Sequence, residues 1–259
     1  MKCSKADRRQ NTIIEMLSTG KTISVEEFCQ TLCCSASTIR NDLNHLANIG
    51  KVTRVFGGAK SIQTKGGMIS LPDSDEENRR SREIAAYVTE HLIPLQSTII
   101  LDSGTTCLEI ARLLAKNNFP VSVLTFSLPI INILAEAEAV NLYSFGGFYH
   151  MDRGAFFDDY IEEHTKLLHA DIYFMITSSV SPEAGFTISC QDKPITERSL
   201  MRVATKTIAL CNSSNISKSG YRIISDFTEI SSMVTDSEAN QEHLQKLQDA
   251  GLNVLVAGQ

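Results

Sequence analysis

The chain has 259 residues, and its 24 Lys plus Arg against 30 Asp plus Glu leave a formal charge of −6. At roughly 100–200 residues per domain this is one large domain or two unequal ones. A hydrophobic share of 42% beside 21% charged residues excludes disorder, collagen and coiled coil as descriptions of the whole.

No window approaches ~18 consecutive apolar residues, and the first residues lead into no signal-like apolar core, so no membrane association is expected. Seven cysteines, at 3, 29, 33, 34, 107, 190 and 211, are irregularly spaced and form no Cys-x-x-Cys. They read as small thiols in a reducing cytoplasm. The histidines at 45, 91, 150, 164, 169 and 243 show no metal-binding spacing. Neither a metal nor any other cofactor is expected.

The charge is unevenly distributed. Residues 1–60 carry nine Lys or Arg against five Asp or Glu, whereas residues 61–259 carry fifteen against twenty-five. A small basic head on a large acidic body points to a polyanion met by the head alone.

In the head, residues 6–19 predict a helix with Ile13, Ile14 and Leu17 on one apolar face, stopped at Gly20. Ser24 with Glu27 three residues on is a capping-box spacing. It opens a second helix whose Val25, Phe28 and Leu32 turn inward. After a tight turn at Cys33-Cys34-Ser35, a third helix is predicted from about Ala36 to Asn48, with Ile39, Leu43, Leu46 and Ile49 along one side and Gly50 at its end.

At about 100° per residue, the opposite side of that helix shows Ser37, Asn41, Asn44 and Asn48, flanked by Arg40 and His45. Arg reaches guanine bidentately, Asn does the same to adenine, and Ser or Thr hold phosphates. Asp42 points back into the head, where it predicts an ion pair with Arg8 or Arg9. The run from Lys51 to Ala59 alternates cations with apolar residues and ends in Gly57-Gly58-Ala59, the pattern of a hairpin or wing. In such a wing Lys51 and Arg54 grip the backbone beside the major groove.

Arg9, Ile13 and Leu17, then Ser35-x-x-Thr38-Ile39-Arg40-Asn41-Asp42-Leu43, then Arg54-Val55-Phe56-Gly57-Gly58-Ala59 resemble the winged helix-turn-helix signature of the DeoR family of bacterial transcription regulators. With the polar face, the resemblance implies contacts to double-stranded operator DNA from Ser35, Ser37, Thr38, Arg40, Asn41, Asn44, Lys51 and Arg54.

Residues 60–75 hold Lys65-Gly66-Gly67 and Leu71-Pro72-Asp73-Ser74-Asp75 without a sustained apolar period, and read as a linker. The expected domains are therefore DNA-binding at 1–59 and sensing and oligomerisation at 76–259. The body opens on a helix from Glu76 to His91, with Ile84, Ala85, Val88 and Leu92 inward. Strands at Thr98–Leu101, Val121–Thr125, Asn141–Phe145, Ile172–Ile176, Thr207–Leu210, Met233–Thr235 and Asn253–Val256 then alternate with helices. The helices are predicted at Thr105–Ala115, Leu128–Glu138, Phe157–Leu168, Pro194–Ala204 and Glu238–Ala250. This alternation makes the fold class α/β, a mostly parallel Rossmann-like sheet with helices on both faces.

In such sheets ligands sit beyond the carboxyl ends of strands, which points at three turns. Asp102-Ser103-Gly104-Thr105-Thr106 offers amides, hydroxyls and a helix dipole as an anion cradle, with Asp102 free to accept from ligand hydroxyls. Thr125-Phe126-Ser127-Leu128 is the second. Gly146-Gly147 is the third, where missing side chains let a ligand approach.

The body resembles the DeoR-family sensor domain, which is similar in fold to ribose-phosphate isomerases and binds sugar phosphates or related metabolites. Asp102 to Thr106 stands as that family's signature loop. Ser127 falls on its Thr-Asn-Ser-Leu turn with Phe126 in place of Asn, and Arg198 keeps a positive charge near its usual Lys. The implied effector contacts are Asp102, Ser103, Gly104, Thr105, Thr106, Ser127, Gly146, Gly147 and Arg198. Two segments depart: Ile176–Val180 stands where the family has Gly-Ala-Asp-Gly-Ile, and Asn212–Asn215 where it has Asp-Ser-Ser-Lys. The phosphate end of the pocket is kept and the sugar-reading end is altered.

The leading expectation is a cytoplasmic repressor of a carbohydrate operon, a homodimer or homotetramer controlled by a phosphorylated small-molecule effector, and not an enzyme. One rival is a sugar-phosphate isomerase or transferase with a DNA-binding appendage. It needs a base such as Asp102, Asp192 or Glu197 beside a carbonyl. The other rival is a regulator whose body only oligomerises.

Overall fold

The capping-box spacing forms as written: Ser24 donates its backbone N–H to Glu27 Oε2 (3.3 Å) and accepts the Glu27 N–H on Oγ (3.2 Å). The computed structural model describes residues 9–10, 12–13, 16–17, 23–32, 34–48, 52–55, 57–61, 75–151, 153–158, 160–188 and 195–258. Expectations for Ile14, Cys33, Ile49, Gly50, Lys51, Phe56, Asp192, Pro194 and residues 62–74 lie outside these. The chain divides into two compact units, Met1–Gly66 and Gly67–Gln259.

In the first unit, the described residues between 9 and 17 are helical, and α1 (Val25–Leu32) and α2 (Ala36–Asn48) follow. Ile13, Leu17, Val25, Phe28, Ile39, Leu43 and Leu46 close on one another with Val52 and Ala59 of the wing. The wing is β2 (Val52–Val55) and β3 (Gly58–Ser61), with the short β1 (Ile23–Ser24) added on the far side of β3, all antiparallel. Since β3 continues to Ser61, the wing runs past the expected boundary at residue 59.

Asp42 fixes α2 from behind. Its Oδ2 accepts from Arg9 Nε and its Oδ1 from Gln10 Nε2 at 2.9 Å. Burial alone raises its proton affinity, but the bonds from Arg9 and Gln10 outweigh it and hold the carboxyl below the usual range.

The second unit opens with α3 (Asp75–His91) and builds one seven-stranded sheet from β4 (Thr98–Leu101), β5 (Val121–Thr125), β6 (Val140–Ser144), β9 (Ala170–Ile176), β12 (Ala204–Leu210), β14 (Ser232–Thr235) and β15 (Val254–Val256). The spatial order is β15-β14-β12-β9-β4-β5-β6, and every pairing is parallel. Successive side chains point to opposite faces. Thus Ile99, Leu101, Val123, Phe174 and Ile208 pack with α3, α4 (Thr105–Lys116) and α5 (Leu128–Leu134). Ile100, Leu124, Tyr173, Met175 and Ala209 pack on the other face with α6 (Ile161–Thr165), α7 (Ile195–Val203) and α8 (Gln241–Asp249). The chain lays β5 and β6 on one side of β4, then returns to place β9 on the other. The crevice beyond β4 and β9 is therefore the topological switch point.

Three elements differ from expectation. The helix predicted at Phe157–Leu168 is only α6, because Phe157 ends a hairpin of β7 (Phe148–His150) and β8 (Ala155–Phe157). Tyr149 and Phe156 pair directly across that hairpin, with ring centroids 5.2 Å apart. The helix predicted to Glu138 stops at Leu134, since Val140 must already pair with Val121. A small antiparallel sheet of β10 (Ser179–Ser181), β11 (Gly185–Ile188) and β13 (Arg222–Ser225) was unforeseen.

Asp42→Ala leaves the Arg9 and Gln10 donors without their acceptor, at a cost of roughly 1–3 kcal/mol to the first unit. Native-state amide exchange at Leu43 and Leu46 reads this loss. A carboxyl held low stabilises above the ordinary carboxylate range and loses that contribution as pH falls through its folded value. The mutant and the native protein therefore converge in acid.

Candidate effector site and nucleic-acid interface

At the switch point Asp102 follows the last residue of β4 and is 5% exposed. Its Oδ1 accepts the Ser103 N–H at 2.6 Å, and its Oδ2 accepts the Ile176 N–H at 2.9 Å and the Tyr173 hydroxyl at 3.1 Å. The carboxyl thus ties the exit of β4 to the exit of β9 and is not held open for ligand hydroxyls, as the sequence suggested. Among the described residues no cation pairs with it. Burial first, and then the nearby Glu197 charge, raise its pKa to about 7, against the pull of its three donors.

Beyond this brace, α4 begins without a side-chain cap: Gly104 occupies the N-cap position and can supply none. Leu108 N–H is the first to find a helical acceptor, Gly104 O, at 2.9 Å. The amides of Thr105 and Thr106 therefore head the helix dipole, as an anion site requires. Thr105 Oγ1 lies 3.2 Å from Ser81 Oγ of α3, and Thr106 is buried. Gly104 is dictated by Ile176, whose Cγ1 would stand 2.8 Å from any Cβ placed there. One departure from the family pattern is thus a methyl-bearing side chain resting on the signature loop.

The second and third turns come under the hairpin. Leu128 N–H donates to Gly154 O (2.9 Å), Phe156 N–H to Phe126 O (2.8 Å), and Ser127 bridges Ala155. Ser127 is fully buried, and its Oγ has no hydrogen-bond partner among the described residues. Gly147, at φ +127°, is required by the hairpin, because a Cβ would stand 2.4 Å from Phe157 O. Gly146 faces open space.

Arg198 is not brought to the loop. Its Nε donates to Ile224 O (2.8 Å), and it lines a separate cavity of about 210 Å³ with Met201, Arg202 and Glu229. One residue earlier on α7, Glu197 is the side chain that turns inward toward Asp102 and Tyr173. Sequence reading missed Tyr173 and Arg153, whose carbonyl accepts from Ser103 Oγ at 3.3 Å. It also missed Asp236, fully buried after β14, which accepts the Ser213 N–H (2.7 Å) with Arg80 3.9 Å away. A lone charged residue just past a strand was the available signal. No group of three His, Cys, Asp or Glu able to hold a metal occurs among the described residues, and no helix there is long and apolar enough to cross a membrane.

In the first unit, Ser37, Arg40, Asn41 and Asn44 are exposed together on α2, and Arg54 is exposed on β2. Thr38 is half-buried. Ser35 Oγ accepts the Thr38 N–H (3.3 Å) and lies 2.9 Å from Ser37 Oγ, so it caps the helix that carries the other expected contacts.

Residues 9–65 match the DeoR-like helix-turn-helix domain and residues 76–237 the DeoR C terminal sensor domain. The chain belongs to the DeoR family. Its relatives include the HTH-type transcriptional regulator GolR of Listeria innocua, 29% identical over 96% of this chain and 98% of that one. The transcriptional repressor GlcR of Bacillus subtilis is 26% identical over 98% and 97%. The lactose phosphotransferase system repressor of Lactococcus lactis is 26% identical over 92% and 94%. Ribose 5-phosphate isomerase A from Neisseria gonorrhoeae superposes with a TM-score of 0.40 at 13% identity, over 53% of each chain. As a DeoR-family member the protein is a transcriptional regulator and not an enzyme.

Two outcomes test the DeoR-family sensor loop. An acid raised to about 7 keeps a proton on folding that the unfolded chain has released. Stability therefore falls from about pH 4 to about pH 7 and levels off above. Asp102→Asn removes about one proton from that slope, read by thermal unfolding across the window, and an unaltered slope means that Asp102 is ionised throughout. Gly104→Ala drives a Cβ into Ile176 and costs roughly 1–3 kcal/mol. Most of this returns in the Gly104→Ala/Ile176→Ala double variant, a non-additivity that a double-mutant cycle measures.

Proposed function

We propose that this chain represses a carbohydrate operon by binding operator DNA through α2 and the wing, and that a phosphorylated sugar or related metabolite at the switch point alters that affinity. The observation that carries the reading is the uncapped N-terminus of α4, braced at the one crevice of the sheet where ligands are expected, in a chain whose other unit exposes Arg40, Asn41 and Asn44 side by side. The names of relatives, a lactose phosphotransferase system repressor among them, support a sugar-linked role. A helix N-terminus holds phosphate through backbone amides and its dipole, without needing a lysine. Position 215, where the family keeps Lys, is Asn here.

Operator reading by a helix-turn-helix calls for two recognition helices about one turn of DNA apart, so the working form is a homodimer or homotetramer in the cytoplasm. Control by effector then requires that the effector bind the DNA-free and DNA-bound forms unequally, and DNA must shift effector affinity by the same factor. The alternative, a body that only oligomerises, is favoured by Ile176 resting on Gly104.

The test is fluorescence anisotropy with the DNA flanking the gene that encodes the chain, with and without a panel of hexose and pentose phosphates. A shift in DNA affinity with a sugar phosphate, and none with its parent sugar, supports the reading. No shift across the panel favours oligomerisation alone. In the same assay Arg40→Ala costs ~1–3 kcal/mol of specific affinity and relaxes preference at one base pair. Arg54→Ala instead weakens all sequences alike and flattens the salt dependence.

A further inference from the structure

The body carries a strong excess of acid, the usual lysine is absent at position 215, and Arg198 points elsewhere. Arg80 is taken up by Glu238 and Asp236. A further cationic residue, Arg153, has its backbone against Ser103, just before α4. Leu101 of β4 pairs with Thr125 of β5, so Ser103 and Ser127, each two residues further on, leave adjacent strands at the same level. Over both runs the start of β8 and the turn before it. Ser103 Oγ donates to Arg153 O at 3.3 Å, and Ser127 bridges Ala155. The Arg153 guanidinium stacks 4.0 Å above the Phe157 ring, which itself packs against Phe126 of the second turn at 5.4 Å.

We propose that Arg153 of the β7–β8 hairpin is the cation of the effector site, meeting the anionic group held by the amides of Thr105 and Thr106, with Ser127 Oγ as a second contact. Two independent observations converge on it. The hairpin delivers a guanidinium whose own backbone already touches the signature loop. Beneath the same segment sits a fully buried hydroxyl with no partner among the described residues, an arrangement that costs stability unless something else accepts or donates there. A guanidinium stacked on an aromatic ring is held flat and preoriented, and its N–H groups form charge-assisted bonds to phosphate oxygens. The hairpin is then the roof of the pocket as well as its source of charge. The inference rests on the proposed sensing of a phosphorylated metabolite.

The experiment is thermal unfolding of the full chain during titration with inorganic phosphate, and separately with glucose 6-phosphate, at constant ionic strength, for the native protein and for Arg153→Met, Arg153→Lys, Ser127→Ala and Arg198→Met. The native protein and Arg198→Met are expected to gain stability together. Arg153→Met should need about tenfold more phosphate for the same gain, Arg153→Lys should keep part of the response because its charge remains while the stacked fork is lost, and Ser127→Ala should also fall between. A larger gain with glucose 6-phosphate than with phosphate marks the metabolite and not the free ion as the natural source, and both ligands should depend on Arg153 alike. An Arg153→Met protein that responds like the native one overturns the inference and leaves the sensing function standing. Equal loss in Arg153→Lys and Arg153→Met assigns the side chain to hairpin packing, and overturns it too. A native protein that responds to neither ligand removes the sensing function and this inference together.

Discussion

The carboxyl of Asp102 joins the ends of β4 and β9, the two strands from which the sheet grows in opposite directions. Diverging parallel strands leave their last amides facing a crevice with no neighbour to pair them, and a side chain just beyond the strand is the nearest acceptor. Asp102 takes the Ser103 and Ile176 amides and the Tyr173 hydroxyl at once, and by doing so aims α4. Asp236 repeats the device at the end of β14, where it takes the Ser213 amide. The two differ in company. Asp236 has Arg80 within 3.9 Å, whereas Asp102 has Glu197 for a neighbour and titrates near neutrality.

The same solution orients α2 of the helix-turn-helix unit. Asp42 sits on the buried side of α2 and receives Arg9 and Gln10 from the helical residues between 9 and 17. With that side tied down, the opposite side must present Ser37, Arg40, Asn41 and Asn44 outward. In both units, then, a buried acid sets the direction of a functional helix, and the chemistry facing outward is left to neutral or cationic groups. A basic face suits a polyanionic partner, and a bare helix N-terminus suits a phosphate.

Much of this was legible in the residues. The capping box at Ser24 and Glu27, the apolar stripe of α2 and the strands β4 and β5 follow from spacing alone, because each element buries one face and the period records which. The loop from Asp102 to Thr106 was legible as a cradle because strand, turn and helix follow within a few residues. The hairpin at 148–157 was not. Phe156 and Phe157 satisfy a helical stripe and a pleated strand equally, and only Phe126 packing on Phe157 and the close approach at Gly147 choose between them. The small sheet of β10, β11 and β13 joins residues some forty positions apart, which no local pattern encodes.

By itself, then, the sequence determined the two units, the α/β class, the polar face of α2 and the strand-to-helix turn from Asp102 to Thr106, since all of these rest on local period, capping and charge. The tertiary structure decided which side chains meet at that turn. Asp102 became a brace because Ile176 and Tyr173 arrive from a strand more than seventy residues later. Gly104 became obligatory because Ile176 lies against it, Arg198 turned away because its helix shows Glu197 to the core, and Arg153 came near because the hairpin folds back over Ser103. Each of these outcomes depends on the order in which strands enter the sheet, and a single sequence read residue by residue does not carry that order.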